Sequence, residues 1–315
     1  MIYLYALAFA FTVVMLLVPL VRSLAIRARF VDQPNRRKIH PEPIPLSGGV
    51  AIFAGVIVTS FLFMGHPSLY KTIFYGGIAL VAIGLLDDGY KSRSREFPVW
   101  PRLLIYIGVA FIPVWQGISI QGITSPTSAG MILFSPAAAA LFTVVWVFAL
   151  INMLNFIDGI DGLASGVCAI SSLTIFAASI IANHTDTALV AVILAGSCLA
   201  FLAYNFHPAR IFMGDAGATF LGYTLAVTAI DGTLKGATLL SLSVPLLALG
   251  VPILDTAIVF TRRLIKGSGL HHADNLHTHH SLMKWGLTQV QTVSFLYLIA
   301  AVFSLLSIVI LLVLR

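Results

Sequence analysis

Ten apolar stretches, each close to the ~20 residues a helix needs to cross hydrocarbon, can be read along this chain. They lie near 3–21, 46–64, 71–87, 102–117, 132–152, 164–182, 187–205, 216–230, 237–259 and 290–314. Of the 315 residues, 59% are hydrophobic and only 10% charged, more apolar surface than a soluble core of this size could hide. Charges cluster between the runs, and no ten-residue alternation typical of barrel strands occurs, so the spans are read as helices. The expected fold class is all-α: a polytopic integral membrane protein with about ten transmembrane helices, forming a single domain over 1–315.

No Lys or Arg precedes Arg22, so the first run lacks the basic start of a cleaved signal and reads as a retained span with its N-terminus outside. The inside loops are then 22–45, 88–101, 153–163, 206–215 and 260–289. Of the 18 Lys and Arg residues, only Lys71, Lys235 and Arg315 fall outside these loops and their helix ends. The net charge of +6 therefore reads as orientation, with no nucleic-acid partner implied. Cys168 and Cys198 lie within apolar runs and offer neither a disulfide framework nor a metal spacing. Asp87, Asp88, Asp158, Asp161, Asp215, Asp255 and Asp274 all fall at or near the same inner face, which predicts one cytoplasmic site.

The densest chemistry is Asn155-Phe-Ile-Asp158-Gly-Ile-Asp161-Gly162. Its polar residues recur every third position and would form one stripe on helical backbone. A polar turn at a membrane surface is the plainer reading, but ionisable groups at membrane depth are costly and by default functional. Asp87 and Asp88 end the third run, where the helix dipole already places negative charge, so cations must compensate. Projecting ~100° apart, the two acids should have different partners. Lys91, Arg93, Arg95 and Arg102 follow closely, and a structural ion-pair cluster is the competing reading.

In the first inside loop, Pro41, Pro43 and Pro45 hold the chain extended, and Gly48 and Gly49 open the second helix with bare backbone. That helix start, with Lys38 and His40, suits an anion such as phosphate; gripping of anionic lipid competes for the arginines. Asp215 stands where the eighth helix begins, alone an ordinary N-cap, yet Gly214 and Gly217 leave room for a ligand and Phe212 offers a stacking face. The last inside loop carries His271, His272, His277, His279 and His280 in no common zinc spacing. Histidines donating to diphosphate oxygens fit the setting better. Asp255 is expected to pair with Arg262 or Arg263.

Scattered carboxylates with an amide, a cationic loop, a His cluster and an aromatic point to phosphoryl transfer at a membrane surface with Mg²⁺, which takes a few protein oxygens plus substrate phosphates. Asp87-Asp88, the Asn155 to Gly162 run, Asn205 with Phe212-Met-Gly-Asp215, and His277-x-His279-His280 occur in the order typical of the polyprenyl-phosphate N-acetylhexosamine-1-phosphate transferases. The resemblance covers about Asp32 to Gly286. The pattern Asp32-x-Pro-x-x-Arg-Lys-x-His40 and the His-x-His-His run look more like the branch using UDP-N-acetylglucosamine than the muramoyl-pentapeptide branch.

The resemblance implies transfer of N-acetylglucosamine 1-phosphate from UDP-N-acetylglucosamine to undecaprenyl phosphate, initiating a cell-envelope glycopolymer at the bacterial plasma membrane. It also implies a Mg²⁺ cofactor, with Mn²⁺ as the alternative ion, and a homodimer as the expected assembly. By matching position, Asp215 and Asn155 would hold the metal, while Asp87 and Asp88 would orient or deprotonate the lipid phosphate. Asp158, Asp161, Asn205 and Phe212 would frame the uridine. His277, His279 and His280, with Lys91 or Arg95, would neutralise the diphosphate. Ala218 and Ser281 depart from the family pattern, where Ser and Arg are more usual. One in-line step is favoured, with a two-step route through an aspartyl phosphate as the alternative. A muramoyl-pentapeptide transferase is the competing enzyme, and a transporter the competing class, although the latter calls for midplane acids and an inverted repeat.

Overall fold

The computed structural model describes residues 1–33, 42–124, 131–234, 239–266 and 277–313. Within them the helices are α1 (Ile2–Arg27), α2 (Gly48–Met64), α3 (Ser68–Lys91), α4 (Val99–Trp115), α5 (Pro136–Ile157), α6 (Leu163–Ile181), α7 (Thr185–Asn205), α8 (Gly214–Ala229), α9 (Leu239–Ala248), α10 (Gly250–Lys266), α11 (Thr278–Lys284) and α12 (Gln289–Val313). A π-helical segment, Ile230–Leu234, continues α8. Two short antiparallel pairs join helices: β1 (Val31–Asp32) sets Val31 opposite Pro45 of β2 (Ile44–Pro45), and β3 (Gly122–Thr124) sets Gly122 opposite Leu133 of β4 (Met131–Leu133). Six helices, α1, α3, α5, α6, α7 and α12, are long and apolar enough to cross a membrane; α2 and α4 are shorter apolar helices. The chain is an all-α multi-pass membrane protein.

Two expected spans differ from the helices found. The run at 132–152 begins later, at Pro136, because 131–133 pair as a strand; Ser135 then caps α5, its Oγ accepting the Ala138 N–H at 3.3 Å. The run at 237–259 is two helices, broken at Leu249. Pro252 has no N–H to offer the Ala248 carbonyl, and the Ser171 hydroxyl donates to it instead at 2.5 Å. Pro19 frees the Met15 carbonyl of α1 in the same way, and the Tyr204 hydroxyl of α7 donates to it at 3.1 Å.

The centre of the bundle is α8. Every residue from Ala216 to Ala229 is buried, as expected of a helix apolar on all sides and packed against α3, α5 and α2. Its first turn is approached most closely. A Cβ on Gly49 of α2 would strike the backbone of Gly217, and one on Gly84 of α3 would strike the backbone of Ala216. The Gly48 and Gly49 N–H groups donate to the Phe212 and Met213 carbonyls, both at 2.9 Å. This corrects the expectation that these amides present an anion site: they are spent joining α2 to the lead-in of α8. Lys38 and His40, the other parts of that expectation, lie outside the described residues, as do His271, His272 and Asp274.

Candidate active site

The acid pair at the end of α3 divides its work. Asp87 Oδ2 takes Arg102 of α4 at 2.8 Å and Lys91, one turn along α3, at 3.6 Å. Asp88, completely buried, turns the other way: its two oxygens accept the backbone N–H groups of Asp215 at 3.1 Å and Ala216 at 3.4 Å. Asp88 therefore caps α8 from a neighbouring helix, satisfying amides that α8 cannot pair itself. Asp215, expected as a possible N-cap, is thus relieved of capping. Its Oδ1 holds Lys91 at 2.6 Å, and Arg102 approaches Oδ2 at 3.7 Å. Asn155, in the last turn of α5, lies beside the same carboxylate. Asp215 Oδ2 is buried and has no hydrogen-bond partner among the described residues.

Asn155, Asp158 and Asp161 do not form one helical stripe. Helix α5 ends at Ile157, and α6 starts only after Gly162, whose φ of 79° admits glycine most easily. Asn155 is helical, Asp158 follows the helix end, and Asp161 stands in the turn. Burial, and then the neighbouring Asp215 charge, push the Asp158 carboxyl up to about 7. Asp161 and Asn205 act chiefly as braces between loops. Asp161 Oδ2 accepts the Ala209 N–H at 3.1 Å and meets His207 Nδ1 at 2.8 Å. Asn205 Oδ1 accepts from the Gly162 N–H at 3.2 Å and the Ser165 hydroxyl at 3.0 Å, and its amide donates to the Ile211 carbonyl at 3.0 Å. From α12, the Tyr297 hydroxyl donates to the Gly162 carbonyl at 2.5 Å.

The three histidines have three different settings. Asp255 of α10 fixes the start of α11, accepting the Thr278 N–H at 2.6 Å and meeting His277 Nδ1 at 2.7 Å; the expected pairing with Arg262 or Arg263 is replaced by this cap. Arg262 donates to Ser281 Oγ at 3.1 Å. His279 stacks on His277 with ring centroids 5.6 Å apart, and its Nε2 is buried without a hydrogen-bond partner. A Cβ on Gly159 would come within 2.6 Å of that Nε2, so the His279 ring packs closely against the Asp158 loop. Burial, with the adjacent His280, pushes its imidazole down to about 3. His280 alone of the three lines the cavity.

That cavity, about 960 Å³, opens at the end of the bundle where these loops meet. Asp88, Lys91, Asn155, Asp158, Asp161, Asn205, Phe212 and Asp215 line it, so four separated sequence motifs converge on one space. Arg95 does not line it and is exposed; the cation that joins Lys91 at the acids is Arg102, at the start of α4. Sequence reasoning also passed over Arg22 and His207, which line the cavity. Arg22 was counted only as loop charge, although its Nε donates to the Arg210 carbonyl at 3.0 Å. Among the described residues no three His, Cys, Asp or Glu side chains form a metal cage. A divalent ion here would need Asp215 and Asn155 supplemented by ligand oxygens, and Asp215 Oδ2, which accepts no hydrogen bond among the described residues, suits that role.

Residues 70–233 match the family described as Glycosyl transferase family 4, and the chain belongs to that family. Its relatives include a Bacillus subtilis (strain 168) protein named "Probable undecaprenyl-phosphate N-acetylglucosaminyl 1-phosphate transferase", 35% identical over 94% of this chain and 81% of the relative. The decaprenyl-phosphate N-acetylglucosaminephosphotransferase of Mycobacterium tuberculosis (strain ATCC 25618 / H37Rv) is 31% identical, covering 88% of this chain and 75% of its own length. The undecaprenyl-phosphate alpha-N-acetylglucosaminyl 1-phosphate transferase of Escherichia coli (strain K12) is 29% identical, covering 90% and 77%.

Proposed function

We propose that this protein transfers N-acetylglucosamine 1-phosphate from UDP-N-acetylglucosamine to undecaprenyl phosphate, releasing UMP. The product, undecaprenyl-diphospho-N-acetylglucosamine, would begin a cell-envelope glycopolymer. The observation that carries this reading is the convergence of Lys91, Asn155, Asp215 and His280 on one cavity at the end of an apolar bundle, in a chain whose relatives bear the names above. The cavity's volume, near the upper end of the usual range for ligand pockets, suits a nucleotide diphosphate sugar. The proposed topology is ten crossings of the bacterial plasma membrane, with the cavity cytoplasmic as the distribution of Lys and Arg requires.

In the proposed reaction an oxygen of the lipid phosphate attacks the phosphorus that bears the sugar. A new P–O bond forms as the bond to the uridine phosphate breaks, and UMP leaves with the electron pair. A phosphomonoester whose second pKa is about 6 is largely dianionic at neutral pH. Asp87 is therefore needed more to orient than to deprotonate, and Arg102 holds it in place. Lys91 and His280 face the charge that accumulates on the diphosphate oxygens. Mg²⁺ fits Asp215 and Asn155, a carboxylate and an amide that leave most positions to substrate and water. When bound, it would supply Lewis-acid stabilisation of the phosphate oxygens.

The test follows UMP release from UDP-N-acetylglucosamine by purified protein in detergent with undecaprenyl phosphate and Mg²⁺. Release that depends on the lipid and disappears in Asp215→Asn is the expected result. Release only from UDP-muramoyl-pentapeptide would reassign the donor, and none with either donor would overturn the transferase reading.

A further inference from the structure

The acid cluster holds its own counter-ions. Asp88 is occupied by the amides of α8, leaving Asp87 and Asp215 as the two carboxylates open to cations. Lys91 and Arg102 meet both of them, so each of these two carboxylates faces both cations. The two cations are held differently. Arg102 anchors to Asp87 at 2.8 Å, whereas Lys91 sits 2.6 Å from Asp215, the residue whose other oxygen is buried, accepts no hydrogen bond among the described residues and lies 3.7 Å from Arg102. The Lys91 side chain is 41% exposed, against 13% for Asp215. A flexible four-carbon stem can swing; Asp215, in the first turn of the buried α8, cannot follow it.

We infer that Lys91 is a counter-ion gate on Asp215: it guards the carboxylate against a divalent ion until a nucleotide diphosphate draws the ammonium away, so that metal and nucleotide bind as a coupled pair. This rests on the transferase reading given above. A divalent ion entering while Lys91 stays would face a like charge at contact distance, which disfavours it. The phosphates of the nucleotide give Lys91 a new partner and relieve that repulsion. The coupling is reciprocal, so the metal must strengthen nucleotide binding by the same factor.

Direct binding of Mn²⁺, read from the electron paramagnetic resonance signal of the free ion, tests this without turnover. In the unaltered protein Mn²⁺ alone should bind weakly, and UDP should tighten it about tenfold, the size of a modest coupling energy. Lys91→Gln should bind Mn²⁺ alone about tenfold more tightly than the unaltered protein, with far less further gain from UDP. Lys91→Arg, which keeps the charge, should behave like the unaltered protein and shows that the position tolerates change. Equal Mn²⁺ affinity with and without UDP in the unaltered protein, or no gain in Lys91→Gln, would overturn the inference. Asp215→Asn separates the two levels. If it abolishes Mn²⁺ binding while Lys91→Gln gains nothing, only the gate is wrong; if it leaves binding intact in every state, the metal reading falls as well.

Discussion

Asp88 accepts the backbone N–H of Asp215 across two helices at 3.1 Å, so one of the paired acids is the cap of the helix that carries the third. The motif residue most readily taken for a catalyst is thereby the one that sets where Asp215 stands. Asp88→Ala should lower thermal stability in detergent by about 1–2 kcal/mol, the usual cost of losing a cap. Asp88→Asn keeps an acceptor and should recover most of that loss. Equal melting temperatures for Asp88→Ala and the unaltered protein would remove the capping role.

Gly214 tests the same joint from the other side. Its φ is +70°, and a Cβ there would run into the Asp88 carboxylate. Gly214→Ala should reduce folded yield sharply, measured by size-exclusion chromatography. Gly108→Ala, in α4 with nothing within 4 Å of the new methyl group, should be neutral or slightly stabilising.

Two of the arginines after the acid pair should part company. Arg102→Gln removes the 2.8 Å contact to Asp87 and should cut kcat by about 100-fold, the scale of losing one preorganised electrostatic partner. Arg95→Gln should leave kcat and KM within about twofold, because changes at exposed positions away from a site are usually nearly neutral. A comparable loss in both variants would return Arg95 to the site.

The motifs were legible in the sequence because chemistry demanded residues that the bilayer disfavours: Asp87, Asp88, Asn155 and Asp215 stand out against an apolar background. Their division of labour was not. Nothing in the spacing of Asp87 and Asp88 says which will meet a backbone amide 127 residues away. Asn205 and Asp161 look like ligand contacts in sequence; that they also brace loops shows only in their Gly162, Ile211 and Ala209 partners. The helix break at Leu249 had a visible cause in Pro252, but its remedy, Ser171, lies on another helix. Arg102 was visible as one of four candidate counter-ions, yet not as one of the two that meet the acids, since the α3–α4 connection decides which cations turn inward.

His279 predicts a pH dependence of stability. Its folded pKa, about 3, lies below the ordinary 6.5, so the folded state favours the neutral ring. Stability from this group is therefore present above about pH 6.5 and is lost as pH falls toward 3, because the unfolded chain takes the proton first. Between about pH 6.5 and 5 the loss should reach about 2 kcal/mol, at 1.36 kcal/mol per unit. Melting temperatures across that range should fall less steeply in His279→Gln; parallel slopes would show that the ring is not the titrating group.

The proline in α1 carries a consequence for how the protein is made. Pro19 leaves the Met15 carbonyl without its own helix's donor, and the hydroxyl that serves it belongs to Tyr204, on α7. A helix released into lipid with an unserved carbonyl is incomplete, since hydrocarbon offers no substitute. Helix α1 is therefore finished by a later helix, and the chain through Tyr204 must be synthesised before α1 can settle. Biogenesis and architecture are joined at that one oxygen.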